Sequence, residues 1–279
     1  MELIVGKNAG FCYGVRRAVE KASECAERKL RCATLGPIIH NPQEVERLLQ
    51  SGIRCISSPE EALPGETVLI RSHGVSPTVL KQIDALGLSV IDLTCPYVAH
   101  IHKLVKDASE SRTVIIVGEA AHPEVQGIAG WARADTIVIA TPEEAEAIRL
   151  PEKALVVAQT TLREETYRHV LDVLRRRVPD LEIHHTICSA TEQRQREAEE
   201  LSENADVTIV VGGHNSSNTQ KLYETCKRHC DRTILIETPD GLEPGVIGMN
   251  DKVAVTAGAS TPQWLLDSVC GRIHELVED

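Results

Sequence analysis

Short apolar runs recur along this chain, each closed by a small polar loop and followed by an amphipathic helical pattern. The runs cover residues 3–5, 32–35, 67–70, 89–93, 113–117, 136–139, 154–157, 182–186, 207–211, 233–236 and 252–256. Strands that alternate with helices in this way lie parallel with the helices covering the sheet, so the expectation is an α/β fold. No long Pro/Gly/Ser linker or low-complexity segment interrupts the series. The 279 residues suffice for two domains or one large α/β body. The most charged stretch, 192–203, reads as a solvated helix face with i,i+4 pairs.

The loops fall into three kinds. The first contains Gly36-Pro-Ile-Ile-His40-Asn41-Pro42, Gly118-Glu-Ala-Ala-His122-Pro123-Glu124 and Gly212-Gly213-His214-Asn215-Ser216-Ser217-Asn218. The second contains Arg71-Ser72-His73-Gly74-Val75-Ser76-Pro77, Gln159-Thr160-Thr161 and Ala257-Gly258-Ala259-Ser260-Thr261-Pro262. The third carries a cysteine, in Thr94-Cys95-Pro96 and Ile187-Cys188-Ser189, and the chain start supplies its third member in Gly10-Phe11-Cys12-Tyr13-Gly14-Val15. The recurrence predicts three similar α/β modules, each of three βα elements, in a pseudo-threefold arrangement. Their expected bounds are 13–95, 96–187 and 188–279, the last completed by residues 1–12. A single doubly wound sheet with coincidentally similar loops is the alternative.

In parallel α/β folds ligands bind beyond the carboxyl ends of the strands, where all these loops lie. Asp92-Leu93-Thr94-Cys95-Pro96 ends a strand and opens a helix, with proline at the first helical position, where its missing N–H costs nothing. A thiolate there is favoured by the helix dipole. Cys12, Cys95 and Cys188 lack Cys-x2-Cys spacing, so a zinc ribbon or bacterial ferredoxin site is not indicated. Three thiolates from distant loops suit a [4Fe–4S] cluster with one iron left open. Cys226 and Cys230, with His229 between them, are a weaker zinc candidate. Cys25, Cys32, Cys55 and Cys270 read as packing residues.

His40, His73 and His122 lie at or near helix starts, and Ser216, Ser217, Asn218 and Ser260 hold similar places in the third module. Helix N-termini bearing such groups bind anions, phosphate above all. Glu124, two residues after His122, is a candidate proton donor, and equally a first-turn carboxylate that stabilises the helix dipole. A net charge of −11 and 3% aromatics argue against a nucleic-acid partner. No basic leader with a long apolar stretch stands at the N-terminus and no apolar run is bilayer-length, so a cytoplasmic location without membrane association is expected. No dinucleotide or Walker fingerprint follows a strand, so bound NAD, FAD or ATP is not indicated.

In order and nearly over the full length, these loop motifs resemble the 4-hydroxy-3-methylbut-2-enyl diphosphate reductase family of the methylerythritol phosphate route to isoprenoids. The resemblance implies three α/β modules around a central iron–sulfur cluster. It implies Cys12, Cys95 and Cys188 as the three ligands of one [4Fe–4S] cluster per chain. It implies His40, His73, His122, Ser216, Asn218 and Ser260 as diphosphate-binding residues, with Ser217 alongside. Glu124 matches the proton-delivering acid and Thr160 the residue that orients the substrate hydroxyl. The implied reaction is reductive dehydroxylation to isopentenyl and dimethylallyl diphosphate, with the substrate oxygen on the open iron. Ferredoxin or flavodoxin is the implied electron donor. Ser189 and His214 depart from residues frequent in the family, at positions that match no catalytic residue. The alternatives are a three-module Lewis-acid enzyme like quinolinate synthase, a non-catalytic iron–sulfur sensor, and a zinc hydrolase using Cys226 and Cys230.

Overall fold

The computed structural model describes residues 1–278. The chain opens with β1 (Glu2–Val5) and α1 (Tyr13–Glu27). There follow β2 (Cys32–Leu35), α2 (Pro42–Gln50), β3 (Arg54–Ile56), β4 (Thr67–Ile70), α3 (Pro77–Ala85) and β5 (Ser89–Asp92). Next come α4 (Pro96–Ala108), β6 (Thr113–Val117), α5 (Pro123–Trp131), β7 (Thr136–Ile139), α6 (Pro142–Ala147), β8 (Lys153–Ala158), α7 (Glu164–Arg177) and β9 (Asp180–Ile183). The last stretch holds α8 (Ser189–Glu203), β10 (Val207–Val211), α9 (Ser217–His229), β11 (Thr233–Ile236), β12 (Lys252–Ala257) and α10 (Gln263–Glu278).

These strands form three all-parallel sheets, ordered β3-β2-β4-β5, β7-β6-β8-β9 and β11-β10-β12-β1. The order is the same each time, second-first-third-fourth, so the expected α/β fold of three like modules holds. In the third sheet the fourth place is filled by β1, paired from Glu2↔Lys252 to Val5↔Val255. Each module has four strands where three βα elements were expected. The strand without a preceding apolar run is β3: it is three residues long, pairs with β2 alone, and buries only Ile56. The run at 182–186 is also corrected, because β9 spans Asp180–Ile183. It stops where the Thr186 side chain takes over from the ladder, accepting from Ala158 N–H and donating to Ala158 C=O, both at 2.7 Å.

Central strands read as continuous apolar runs because both faces are covered. In the second sheet, Ile115, Val117 and Val156 pack with Tyr167, Leu171 and Leu174 of α7. The alternate residues Val114, Ile116, Leu155 and Val157 pack with Ile101 and Val105 of α4 and with Val125 and Ile128 of α5. Each such large side chain contributes roughly 1.5–3 kcal/mol by leaving water. The fourth strands β1, β5 and β9 are edges, largely exposed. By contact the chain divides into two compact units. One comprises Met1–Arg16, Ile39–Glu46 and the chain from Ser189 onward, and the other Arg17–Ile38 with Arg47–Cys188. Among the described residues no helix is long and apolar enough to cross a membrane.

Candidate functional site

In each sheet the first and third strands are neighbours whose connections leave in opposite directions. That is a topological switch point, where a crevice opens beyond the carboxyl ends. The first two loop kinds flank this crevice in every module, and the cysteine loop follows the neighbouring edge strand. Glycine after the first strand makes the loops' approach possible. A Cβ on Gly36, whose φ is +73°, would lie 2.8 Å from Arg71 Nη1, and one on Gly118 would lie 2.8 Å from the Gln159 side chain.

In the unit of Arg17–Ile38 and Arg47–Cys188, His73 and His122 approach edge to face, with ring centroids 5.4 Å apart. His122 is the N-cap of α5, and its Nδ1 accepts from Glu124 N–H at 3.2 Å. The Glu124 side chain turns inward, 2% exposed. Its Oε1 accepts from Thr160 N–H at 2.6 Å and its Oε2 from Thr160 Oγ1 at 2.7 Å. A buried carboxyl group and a hydroxyl are thus held together on the two sides of one crevice.

The unit that contains Ile39–Glu46 gathers the other polar groups. Ser216 is the N-cap of α9 and accepts from Thr219 N–H at 3.3 Å. Ser217 Oγ accepts from Lys221 Nζ at 2.7 Å. Asn218 is buried, and among the described residues its side-chain Nδ2 has no acceptor. Ser260, also buried, donates to the His40 carbonyl at 3.2 Å. A Cβ on Gly213 would lie 2.7 Å from that same carbonyl, so only glycine lets the His40 loop approach. A buried amide donor without an acceptor at a helix N-terminus is what an anion would satisfy.

The three cysteines share one geometry. Each immediately precedes a helix: Cys12 before α1, Cys95 before α4 and Cys188 before α8. Each donates its backbone N–H to a carbonyl in the second loop kind: Cys95 to Ser72 at 2.9 Å, Cys188 to Thr160 at 3.0 Å, and Cys12 to Ala259 at 3.2 Å. The residues beside those carbonyls include His73 and Ser260, and Thr160 itself is one of them. All three cysteines are half-buried, and all nine cysteines are reduced.

The remaining cysteines divide. Cys25 and Cys32 are buried, but Cys55 is exposed, a correction to its expected packing role that follows from its place on edge strand β3. Cys226 and Cys230 turn inward, with Cys226 Sγ toward Ala198 C=O and Cys230 Sγ toward the Ala205 and Asp206 carbonyls. Burial pushes the Cys226 thiol up to about 11. His229 instead faces α8, with Nε2 3.5 Å from Glu199 Oε1 and Nδ1 3.3 Å from Glu203 Oε1. The three do not form one ligand set.

The stretch 192–203 is more than a solvated face. Arg194 is buried and Glu197 half-buried, and Glu197 accepts from Lys7 and Asn8 N–H groups, both at 2.8 Å. The sequence signal was the spacing of Thr191, Arg194, Ala198 and Ser202, the inward stripe of α8. Charge density concealed it.

Fold and loops define an α/β protein of three like modules, with polar loops at the switch points and, in each module, a cysteine N–H bonded to a carbonyl of the second loop. Known proteins of this make include the LytB family, whose sequence profile, described as LytB protein, matches residues 3–274. The 4-hydroxy-3-methylbut-2-enyl diphosphate reductase of Geobacter metallireducens is 43% identical over 277 residues, covering 99% of this chain and 98% of its own. The enzyme of the same name from Clostridium perfringens is 42% identical over 280 residues, covering 98% and 99%. A solved structure of (E)-4-hydroxy-3-methyl-but-2-enyl diphosphate reductase matches with TM-score 0.74 at 41% identity, over 99% of this chain and 100% of that one. The E-1-hydroxy-2-methyl-but-2-enyl-4-diphosphate reductase from Plasmodium falciparum matches with TM-score 0.90 at 29% identity, over 97% and 87%. The chain belongs to the LytB family.

Proposed function

We propose that the chain reduces 4-hydroxy-3-methylbut-2-enyl diphosphate to isopentenyl and dimethylallyl diphosphate, using a [4Fe–4S] cluster held by Cys12, Cys95 and Cys188. The observation that carries this is the threefold repeat of a cysteine at a helix start, bonded by its N–H to the loop that flanks the crevice. The donor set fits the group: three reduced, half-buried cysteines, each at the favourable end of a helix dipole. When bound, the cluster supplies electrons and a Lewis-acidic iron, which together address a hydroxyl's poor quality as a leaving group. The relatives' names do not favour a Lewis-acid enzyme without net reduction or a non-catalytic sensor.

In this reading His40, His73, His122, Ser216, Asn218 and Ser260 bind the diphosphate, with Ser217 alongside. Binding energy from this remote group positions the allylic end for reaction. Asn218 Nδ2 is a ready donor to a phosphate oxygen. Thr160 Oγ1 can both donate and accept, so it can pass a proton between Glu124 and the substrate hydroxyl while orienting that hydroxyl. Overall, two electrons and two protons enter and the allylic C–O bond breaks. One proton leaves with the hydroxyl as water, and the other ends on an allyl carbon. The electron donor is a ferredoxin or flavodoxin, the location cytoplasmic, and the module bounds 13–95, 96–187 and 188–279 with 1–12.

The test is anaerobic purification with iron and sulfide quantification, followed by a reductant-dependent assay on the hydroxylated diphosphate. About four iron and four sulfide per chain, with reductant consumed on turnover, is expected. Zinc in place of iron, or turnover without reductant, would overturn the proposal.

A further inference from the structure

Two arginines hold the cysteine loops of the first and third modules, and no role given above uses either. Arg17 lies on α1, five residues after Cys12. Its Nη1 donates to the Thr94 carbonyl at 3.1 Å, one residue before Cys95. Arg194 lies on α8, six residues after Cys188. Its Nη2 donates to the Gly10 carbonyl at 2.8 Å, two residues before Cys12, and its side chain is 4% exposed. Each arginine thus rides on a helix opened by one cysteine and grips the backbone just ahead of another. At the Cys188 loop, Thr186 Oγ1 donates to Ala158 C=O and Tyr167 OH donates to His184 C=O at 3.0 Å.

The geometry points to Arg17 and Arg194 as positioning residues that fix the Cys95 and Cys12 loops and set a permanent positive charge beside them. This rests on the reading of the three cysteines as cluster ligands. A guanidinium keeps its proton at any working pH, and its hydrogen bonds are stronger than neutral ones. Thr94 is fixed from the other side as well, since Asp92 Oδ1 accepts from its N–H at 2.8 Å and its hydroxyl at 2.5 Å. On the Cys12 loop the Glu197 carboxylate takes the Lys7 and Asn8 N–H groups, farther along the chain from Cys12 than the Gly10 carbonyl that Arg194 holds. A nearby cation favours the more negative, reduced form of a bound iron–sulfur group, whose potential follows net charge and surrounding hydrogen bonds.

The experiment compares anaerobically reconstituted native protein with Arg17→Gln, Arg17→Lys, Arg194→Gln and Arg194→Lys. Three quantities are read: iron and sulfide per chain, the rate of iron loss to a chelator, and the midpoint potential from a spectroscopically followed redox titration. Both glutamine variants should lose iron about tenfold faster, as expected from losing a charge-assisted hydrogen bond, and titrate at a lower potential than native. The lysine variants keep the charge but not the reach, so they should lose iron faster at a near-native potential. A native rate or a native potential in the glutamine variants would overturn the inference. Where a glutamine variant does not fold, the lysine variant decides: faster iron loss at unchanged potential supports the inference, and native iron loss overturns it. Native protein that takes up no iron and sulfide would instead refute the cluster reading itself.

Discussion

Cys95 is the N-cap of α4 with Pro96 behind it, and its sulfur is not used as the cap. Cys95→Ser should therefore fold but retain well under half of the native iron, while Cys226→Ser, altering a buried packing thiol, should retain it all. Equal iron in the two variants would refute the ligand assignment. Glu124→Gln keeps the shape of the pair with Thr160 but carries no acidic proton. Its turnover should fall by about 10²–10⁴-fold with iron content unchanged, and native turnover under steady-state assay would remove its acid role. His102 drew no attention in the sequence, yet burial holds its imidazole down at about 4, against the opposing charge of Asp92. The unfolded chain takes up that proton near 6.5 and so binds more protons than the native state between the two values. Stability that depends on a neutral His102 is full above pH 6.5 and lost as pH falls toward 4. Urea unfolding of iron-free protein at pH 7 and 4.5 should show a smaller acid loss in His102→Phe than in native protein. Cys95 was legible because proline and a strand end fixed its local geometry. His102, Arg17 and Arg194 were not, because their partners Gly74, Thr94 and Gly10 lie far off in sequence.

At the scale of elements, the turn from β4 to α3 is built around Gly74, which has φ +71° and sits where a Cβ would lie 2.5 Å from the His102 ring. That ring stacks on Trp131 with centroids 5.3 Å apart, which leaves it little room to yield. Gly74→Ala should cost about 3 kcal/mol, combining left-handed strain with overpacking. Gly52→Ala has φ +92° but open space around it, so only the strain remains, about 1–2 kcal/mol. Chemical denaturation of both variants checks the difference, and equal losses would mean that the histidine gives way. Central strands such as β6, β8 and β10 were readable because burial on both faces leaves an unbroken apolar run. The edge strand β3 was not, since pairing with β2 demands little of its side chains. The end of β9 was misplaced because Thr186 continues the bonding pattern with its side chain and looks like strand in sequence.

For the whole molecule, the three identical strand orders account for how much of the site could be anticipated. Once one module's loops were matched to another's, cysteine, histidine and serine positions followed from equivalence. What the repeat did not reveal is the arginine grips on the Cys95 and Cys12 loops and the carboxylate of Glu197 on the latter. Deleting residues 1–6 would leave β12 as an edge strand. The amides of β12 should then exchange hydrogen faster while those of β6 and β8 hold their protection, and uniform loss across all three sheets would contradict modular stability. The pairing of Glu2 with Lys252 also sets a schedule. During synthesis at about 5–20 residues per second, β1 and Cys12 leave the ribosome roughly ten to fifty seconds before β12 exists to receive them. Through that interval β1 and the Cys12 loop travel without the strand they pair with, so the third sheet is closed last, by the two ends of the chain.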